Sequence, residues 1–326
     1  MKILVAGLGS IGRRHLRNVV ALGEHDIVLY RSQRSTLPDE ELAGHPVETS
    51  LDAALAHRPD AVIVANPTAL HLDVAIPAAE AGCHILLEKP VSHSLDRLDD
   101  LRRAVERSGS RVLVGFQFRF HPTMRLAAEA LRTGAIGRPT VVTAHWGEYL
   151  PDWHRWEDYR HSYAARADLG GGVVLTLCHP LDYLRWWFGP SQRLWSFTGT
   201  LGDLDIPVED VADIALQWPT GVLGRVHLNY LERPPAHWVE VVGTAGTLRW
   251  ESADGSLKIY RAETGAWQVH MPPQGFERNT MFLDQMRHFL AVVRGEAVPE
   301  CSLDDGIETL RSAVAITSGD RGADRA

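Results

Sequence analysis

Cysteine is scarce in this chain: Cys83, Cys178 and Cys301 stand far apart in 326 residues. Their spacing suits neither a disulfide framework nor a zinc site, so a reducing cytoplasm and no metal are expected. An excess of positive charge is also lacking. Lys and Arg number 33 against 41 Asp and Glu, a formal net charge of −8 at pH 7. That balance gives no electrostatic footprint for nucleic acid or for an anionic membrane. No apolar run reaches transmembrane length, and the first residues enter a strand directly rather than through a signal peptide. No internal repeat is visible. What is present, 45% hydrophobic and 23% charged residues, is ordinary for a globular protein. The length suffices for two domains and a large core.

The most informative stretch comes first. Ile3 to Ala6 is a short apolar, β-branched run, right for a buried parallel strand. Gly7, Leu8, Gly9, Ser10, Ile11 and Gly12 follow without a linker, and Arg13 to Leu22 continues at helical spacing. Strand, glycine turn and helix in that order is the context a dinucleotide fingerprint requires. Gly7 allows the tight turn, Gly9 lets the backbone approach a pyrophosphate, and Gly12 lets helix and strand pack closely. The helix N-terminus offers free N–H groups to the phosphates at Ser10 and Ile11. Asp26 to Tyr30 reads as the second strand, and the run Tyr30-Arg31-Ser32-Gln33-Arg34 at its end holds no carboxylate. Arg31, Ser32 and Arg34 stand where the adenosine ribose would lie, which favours NADP(H) over NAD(H). A solvated basic loop is the plainer reading of those three.

Strands and helices then alternate. Ala53 to His57 belongs to a helix, and Ala61 to Ala65, Cys83 to Leu87 and Val112 to Phe116 read as further buried strands. Ser94 is a candidate N-cap for a helix through Val105. This is the pattern of a doubly wound parallel sheet, in which ligands bind beyond the carboxyl ends of the strands. Asn66, Pro67 and Thr68, with His71 on the next helix, and Glu88, Lys89 and Pro90 occupy such ends. From His121 the texture changes. A helix from Pro122 to Thr133 precedes a strand from Thr140 to Tyr149. Gly170 to Gly172 opens what reads as one apolar helix through Phe188. Period-two strands follow at 195–200, 212–217, 224–230, 238–243, 247–251 and 257–261, then helices at 276–294 and 303–318. The chain thus divides into an α/β domain, 1–119, and an α+β domain, 120–326, with a large, mostly antiparallel sheet.

Lys89 at a strand end can reach a ligand carbonyl or hydroxyl near the cofactor. A salt bridge to Glu88 is the bland alternative, but adjacent residues of a strand point to opposite faces. Histidine as a residue type ordinarily titrates near neutrality, so His179 is a candidate to exchange a proton with a substrate hydroxyl. Asp182 lies three residues on, along the same helical face, so a core histidine bonded to Asp182 is the competing reading. Trp153, His154, Trp156, Tyr159, Arg160 and Tyr163 crowd one loop, where rings and charges suit a polyhydroxylated ligand, a packed lid or a subunit contact. Arg119 and His121 follow the last parallel strand and should face the cleft. Trp186 and Trp187 fit core packing.

These motifs together resemble the Gfo/Idh/MocA oxidoreductases. The likeness rests on GLGSIG at residue 7, Ala65-Asn66-Pro67-Thr68 with His71, AGCHILLEKP ending at Pro90, and GGGVVLTLCHPLD ending at Asp182. The resemblance implies a Rossmann domain beside an α/β domain whose open sheet makes subunit contacts in a homodimer or homotetramer. It further implies hydride transfer between NAD(P) and a hydroxyl or keto carbon of a sugar, cyclitol or sugar derivative. By position, Lys89 would bind and polarise the reacting oxygen and His179 would be the acid/base. Many members carry an aspartate one turn before that histidine. Leu175 and Thr176 stand here instead, leaving Asp182 to orient His179 or Thr176 to contact substrate. A redox-neutral epimerase, lyase or hydrolase using tightly bound NAD(P) is an alternative. A non-catalytic dinucleotide sensor is another, against which Lys89 and His179 both argue.

Overall fold

The structure, a computed structural model, describes residues 1–31 and 40–318. The N-terminal half alternates strand and helix: β1 (Lys2–Ala6), α1 (Ser10–Ala21), β2 (Asp26–Tyr30), β3 (Val47–Glu48), α2 (Leu51–Ala56), β4 (Ala61–Val64), α3 (His71–Glu80), β5 (His84–Leu87), α4 (Leu98–Ser108) and β6 (Val112–Val114). The six strands form one parallel sheet in the order β3-β2-β1-β4-β5-β6. This is the doubly wound order, and the direction of winding reverses between β1 and β4. Ile3, Leu4, Val5 and Ala61 to Val64 are fully buried, because a parallel sheet is covered on both faces and needs unbroken apolar strands. The reversal brings the end of β1 beside the end of β4, and β5 beside that.

Two local readings change. β3, only two residues long, carries too little pattern to be seen in the sequence. Ser94 does not cap α4: its hydroxyl donates to Asp96 Oδ2 at 3.1 Å and accepts from the Asp96 amide at 3.3 Å. The helix starts at Leu98, after Arg97 in a left-handed conformation with φ 61°. A serine hydroxyl that closes its own turn is no longer available to the helix.

The following elements are α5 (Pro122–Arg132), β7 (Pro139–Tyr149), α6 (Val173–Thr176), α7 (His179–Phe188), β8 (Gln192–Gly199), β9 (Val211–Gln217), β10 (Leu223–Asn229), β11 (Leu231–Gly243), β12 (Gly246–Glu251), β13 (Leu257–Arg261) and β14 (Ala266–His270). Helices α8 (Arg278–Arg294) and α9 (Leu303–Thr317) close the described chain. The eight strands form a second sheet, ordered β14-β13-β12-β11-β7-β10-β9-β8. Every pair is antiparallel except β7 with β10. Consecutive strands alone would have made all pairs antiparallel. Here β7, first in sequence, is inserted between β10 and β11. Helices α5, α6 and α7 pack against this sheet, and Val142, Ala144, Val226, Val239, Val241 and Trp250 are buried.

The helix expected to run unbroken from the triple glycine is two helices. Pro180 has no N–H to give, and its ring would collide with the carbonyl four residues back, that of Thr176. The chain therefore breaks at Leu177 and Cys178 and restarts with Pro180 in the first turn of α7. His179 becomes the first residue of a helix instead of sitting in the middle of one.

Contacts divide the chain into two compact units: Met1–Gln117 with Asp168–Gly170 and Arg278–Leu310, and Phe118–Ala167 with Gly171–Glu277 and the remainder. Helix α8, far along the sequence, belongs with the parallel sheet. The Arg14 guanidinium lies 4.5 Å from the centre of the Phe282 ring, and Asn279 Nδ2 donates to Asn18 Oδ1 at 2.9 Å.

In the second unit His121 is buried, its ring edge-on to Trp250 and Phe276. The Thr123 hydroxyl donates to the Gly255 carbonyl at 2.6 Å and accepts from Trp250 Nε1 at 3.0 Å. His121 Nδ1, 3.0 Å from that oxygen, must then be a donor to it. Burial pushes the His121 pKa down to about 4 from an ordinary 6.5. The unfolded chain therefore binds a proton before the folded one does. Stability is whole above pH 6.5 and falls as the pH drops toward 4, by about 3 kcal/mol from this ring alone. Denaturant titrations across that range should show the loss in the wild-type protein and a flatter profile in His121→Phe.

Candidate functional site

In the first unit the glycine turn is fixed by contact. Gly7 has φ 92°, and a Cβ on it would lie 2.4 Å from the Asn66 nitrogen. A Cβ on Gly12 would lie 1.9 Å from the Gly7 carbonyl oxygen, so α1 can seat on β1 only with glycine there. At Gly9 a Cβ would meet nothing within 4 Å. Gly9 and Ser10 are exposed, and α1 starts at Gly9 with no side-chain cap. Uncapped first-turn amides behind an open backbone face suit a pyrophosphate, and these residues fit a dinucleotide. Arg13 is buried and holds the turn from below, its Nε donating to the Leu8 carbonyl at 3.0 Å. Arg31 directly follows β2 and is half-buried. Ser32 and Arg34 lie outside the described residues.

The ends of β4 and β5 are braced by buried side chains. Thr68, His71 and Glu88, expected along the cofactor, are 3%, 1% and 7% exposed. They turn into the fold, whereas Asn66, Pro67 and Lys89 stay half-buried. His71 Nδ1 lies 2.9 Å from the Pro90 carbonyl and Nε2 lies 3.0 Å from that of Asn66, linking the two strand ends. Burial pushes the His71 pKa down, and the Glu88 charge and the carbonyls of Pro90, Asn66 and Val91 only partly oppose it. The neutral ring has one N–H and donates to one of the two carbonyls.

Glu88 Oε1 is 2.6 Å from His15 Nε2, and Oε2 accepts the Lys89 amide at 3.2 Å. Burial raises the carboxyl, but the His15 hydrogen bond and the charge of Lys89 help to outweigh it and hold the pKa below the ordinary range. Neither His15 nor Gly115, which backs the Glu88 carboxylate, was legible as part of this site: His15 lies 73 residues from its partner. One signal was available. The chain uses arginine almost throughout, and its only lysines are Lys2, Lys89 and Lys258. A half-buried lysine at a strand end stands out against that usage.

In the second unit His179 is 2% exposed, its ring 5.1 Å from those of both Phe118 and Trp146. His237 stacks on Trp146 at 4.1 Å. Arg119 and Asp182, both expected to meet substrate, meet each other: Asp182 Oδ1 accepts from Arg119 Nη2 at 2.7 Å, and Oδ2 accepts from Nε at 3.1 Å, with both groups buried. His121 is in the core. Trp186 and Trp187 are half-exposed rather than core, the former 5.9 Å below the Arg119 guanidinium.

Thr176 is buried beside Tyr230, whose hydroxyl donates to the Gly172 carbonyl at 2.9 Å and contacts the Thr176 side chain. Glu209, unmarked in the sequence, accepts the Val174 amide at 3.2 Å at the start of α6, and burial raises its pKa. In the aromatic loop Trp153 packs edge-on to Tyr230, and His154 Nδ1 lies 2.9 Å from Glu157 Oε1 with Trp156 against its ring. Tyr163 is half-buried, and Arg160 is held by Asp158 through Nε and Nη2. Among the described residues no group of His, Cys, Asp and Glu is arranged to hold a metal ion.

Residues 1–116 match an oxidoreductase family with an NAD-binding Rossmann fold, and residues 124–249 match the GFO/IDH/MocA C-terminal domain. The D-xylose 1-dehydrogenase (NADP(+)) 2 of Haloferax volcanii is 26% identical over 318 residues, 96% of this chain and 95% of that one. The D-apiose dehydrogenase of Paraburkholderia graminis is 29% identical over 340 residues, 93% and 83% of the two chains. An oxidoreductase domain protein from Kribbella flavida matches with a TM-score of 0.87 at 20% identity, covering 99% and 98%. That last likeness is one of fold.

The glycines separate binding from folding. Gly9→Ala should keep the wild-type melting temperature and weaken NADPH binding, read by fluorescence titration. Gly12→Ala should lower stability by about 1–3 kcal/mol or more, read by thermal denaturation, because backbone rather than a movable side chain meets the new methyl.

Proposed function

The chain belongs to the Gfo/Idh/MocA oxidoreductase family, and from that premise we propose that it is a dehydrogenase acting on a CH–OH group of a sugar, cyclitol or sugar derivative. Bound nicotinamide dinucleotide supplies the hydride acceptor or donor. The open, uncapped start of α1 receives the pyrophosphate. Lys89 holds the reacting oxygen through its ammonium group, and His179 takes the hydroxyl proton in oxidation and returns it in reduction. Substrate hydroxyls are met by Trp153, His154, Tyr163 and Thr176, while Arg119 and Asp182 form the buried pair that anchors α7. The observation that carries this reading is the half-buried Lys89 at the end of β5, beside the end of β4 and one strand removed from that of β1.

NADP(H) is the proposed cofactor. Arg31, with no carboxylate in the sequence from 31 to 34, supports it, as does the NADP(+) in the name of the Haloferax relative. The three cysteines are buried and form no disulfide among the described residues, which supports a reducing, cytoplasmic setting. A second copy of this chain is the proposed partner. One row across the second sheet runs Leu223, Val141, Val242, Thr247, Tyr260, Trp267 in register. Four of these, Leu223 47%, Val141 44%, Val242 39% and Trp267 52%, are exposed apolar side chains. Exposed apolar side chains gathered along one sheet face support an association surface there.

Titration with NADPH and NADH, then a sugar and cyclitol panel read as nicotinamide absorbance, tests the activity. Lys89→Ala and His179→Ala should each lower kcat by about 10²–10⁴-fold with NADPH binding retained. Unchanged turnover in both removes the assignment, and substrate conversion without net absorbance change replaces it with redox-neutral chemistry. For the interface, light scattering should report a homo-oligomer, and Val141→Glu should shift it toward monomer.

A further inference from the structure

Resting on that reading, the ammonium of Lys89 must be held where a strand gives out, and the buried carboxylate next to it supplies the constraint. Glu88 presents its two oxygens in two directions. Oε1 meets His15 Nε2 at 2.6 Å, and Oε2 accepts the backbone amide of Lys89 at 3.2 Å. His15 is fully buried on α1, three residues past Gly12. Its Nδ1 has no hydrogen-bond partner among the described residues, so the ring proton belongs on Nε2, facing the carboxylate. The other side is closed by Gly115, where a Cβ would come within 3.1 Å of Glu88 Oε2. The glycine leaves the Glu88 carboxylate the room that a Cβ at 115 would crowd.

Simple fastening of helix to strand would need only the contact to His15. The second oxygen aimed at the Lys89 amide does something further: it fixes the peptide from which the reactive side chain springs. We infer that His15 and Glu88 are positioning residues for Lys89. The pair ties that residue to the helix whose N-terminus takes the dinucleotide phosphates, so nucleotide seating and lysine placement share one buried hydrogen bond. Neither side chain touches substrate.

The test uses the full chain with Glu88→Gln, His15→Gln, the double variant and Glu88→Asp. Acylation of Lys89 by an amine-reactive ester is followed by peptide mass spectrometry, with and without NADPH. Lys2 and Lys258, the other two lysines, serve as internal references. Wild-type Lys89 should be protected by NADPH. Each single variant should lose that protection, with the reference lysines unaffected. With a sugar that the wild-type enzyme turns over, kcat should fall by roughly 10²-fold, as expected for a reactive group displaced by about an ångström, with KM changed by less than about threefold. The double variant should be no worse than the poorer single, because one path is cut twice. Glu88→Asp, which keeps the charge and loses the reach, should behave as Glu88→Gln.

Wild-type protection and kcat in both single variants, multiplied losses in the double, or full recovery in Glu88→Asp would each overturn the inference. His15→Gln, the milder change, carries the test where Glu88→Gln lowers the yield of folded protein. A wild-type enzyme inactive on every sugar defeats the functional reading, and the labelling still decides this one.

Discussion

The first unit depends on one close approach, the Gly12 backbone against the carbonyl of Gly7. A single methyl at Gly12 would stand 1.9 Å from that oxygen, well inside any allowed contact. Because the helix can lie this close, α1 begins where β1 ends, and its free amides open beyond the sheet. The same seating carries His15 down one more turn to meet Glu88. The open first turn of α1 and the buried contact beneath Lys89 both depend on one glycine packing distance.

A second regularity concerns which polar groups are buried. Residues with chemistry to offer in the first unit, the amides near Gly9 and the side chain of Lys89, are reachable by solvent. Those that hold them in place, Arg13, His15, His71 and Glu88, are 8% exposed or less. Burial is costly for such groups unless each finds a partner. Leu8, Glu88, Pro90 and Asn66 provide partners, mostly as backbone carbonyls at the ends of strands. The second unit repeats the scheme with the Arg119–Asp182 pair and the Thr123 hydroxyl under His121. The buried ionic pair is weak evidence for stability, but it leaves the start of α7 one permitted arrangement.

Elements whose signal is local could be read from the residues alone. The parallel sheet follows from unbroken apolar strands alternating with helices, and the fingerprint at Gly7 to Gly12 follows from its place between strand and helix. Most strands of the second sheet show their period of two, and Lys89 is conspicuous as one of three lysines. What depends on partners far along the chain became visible in the folded molecule. It paired His15 with Glu88, gave Asp182 to Arg119, placed β7 between β10 and β11, and returned α8 to the parallel sheet. Periodicity is blind to these, because a buried side chain is assigned by which distant group can meet its hydrogen-bonding need. The break before His179 falls between the two cases. Pro180 announced it in the sequence, but an apolar run long enough for one helix hid it until the backbone was seen to restart.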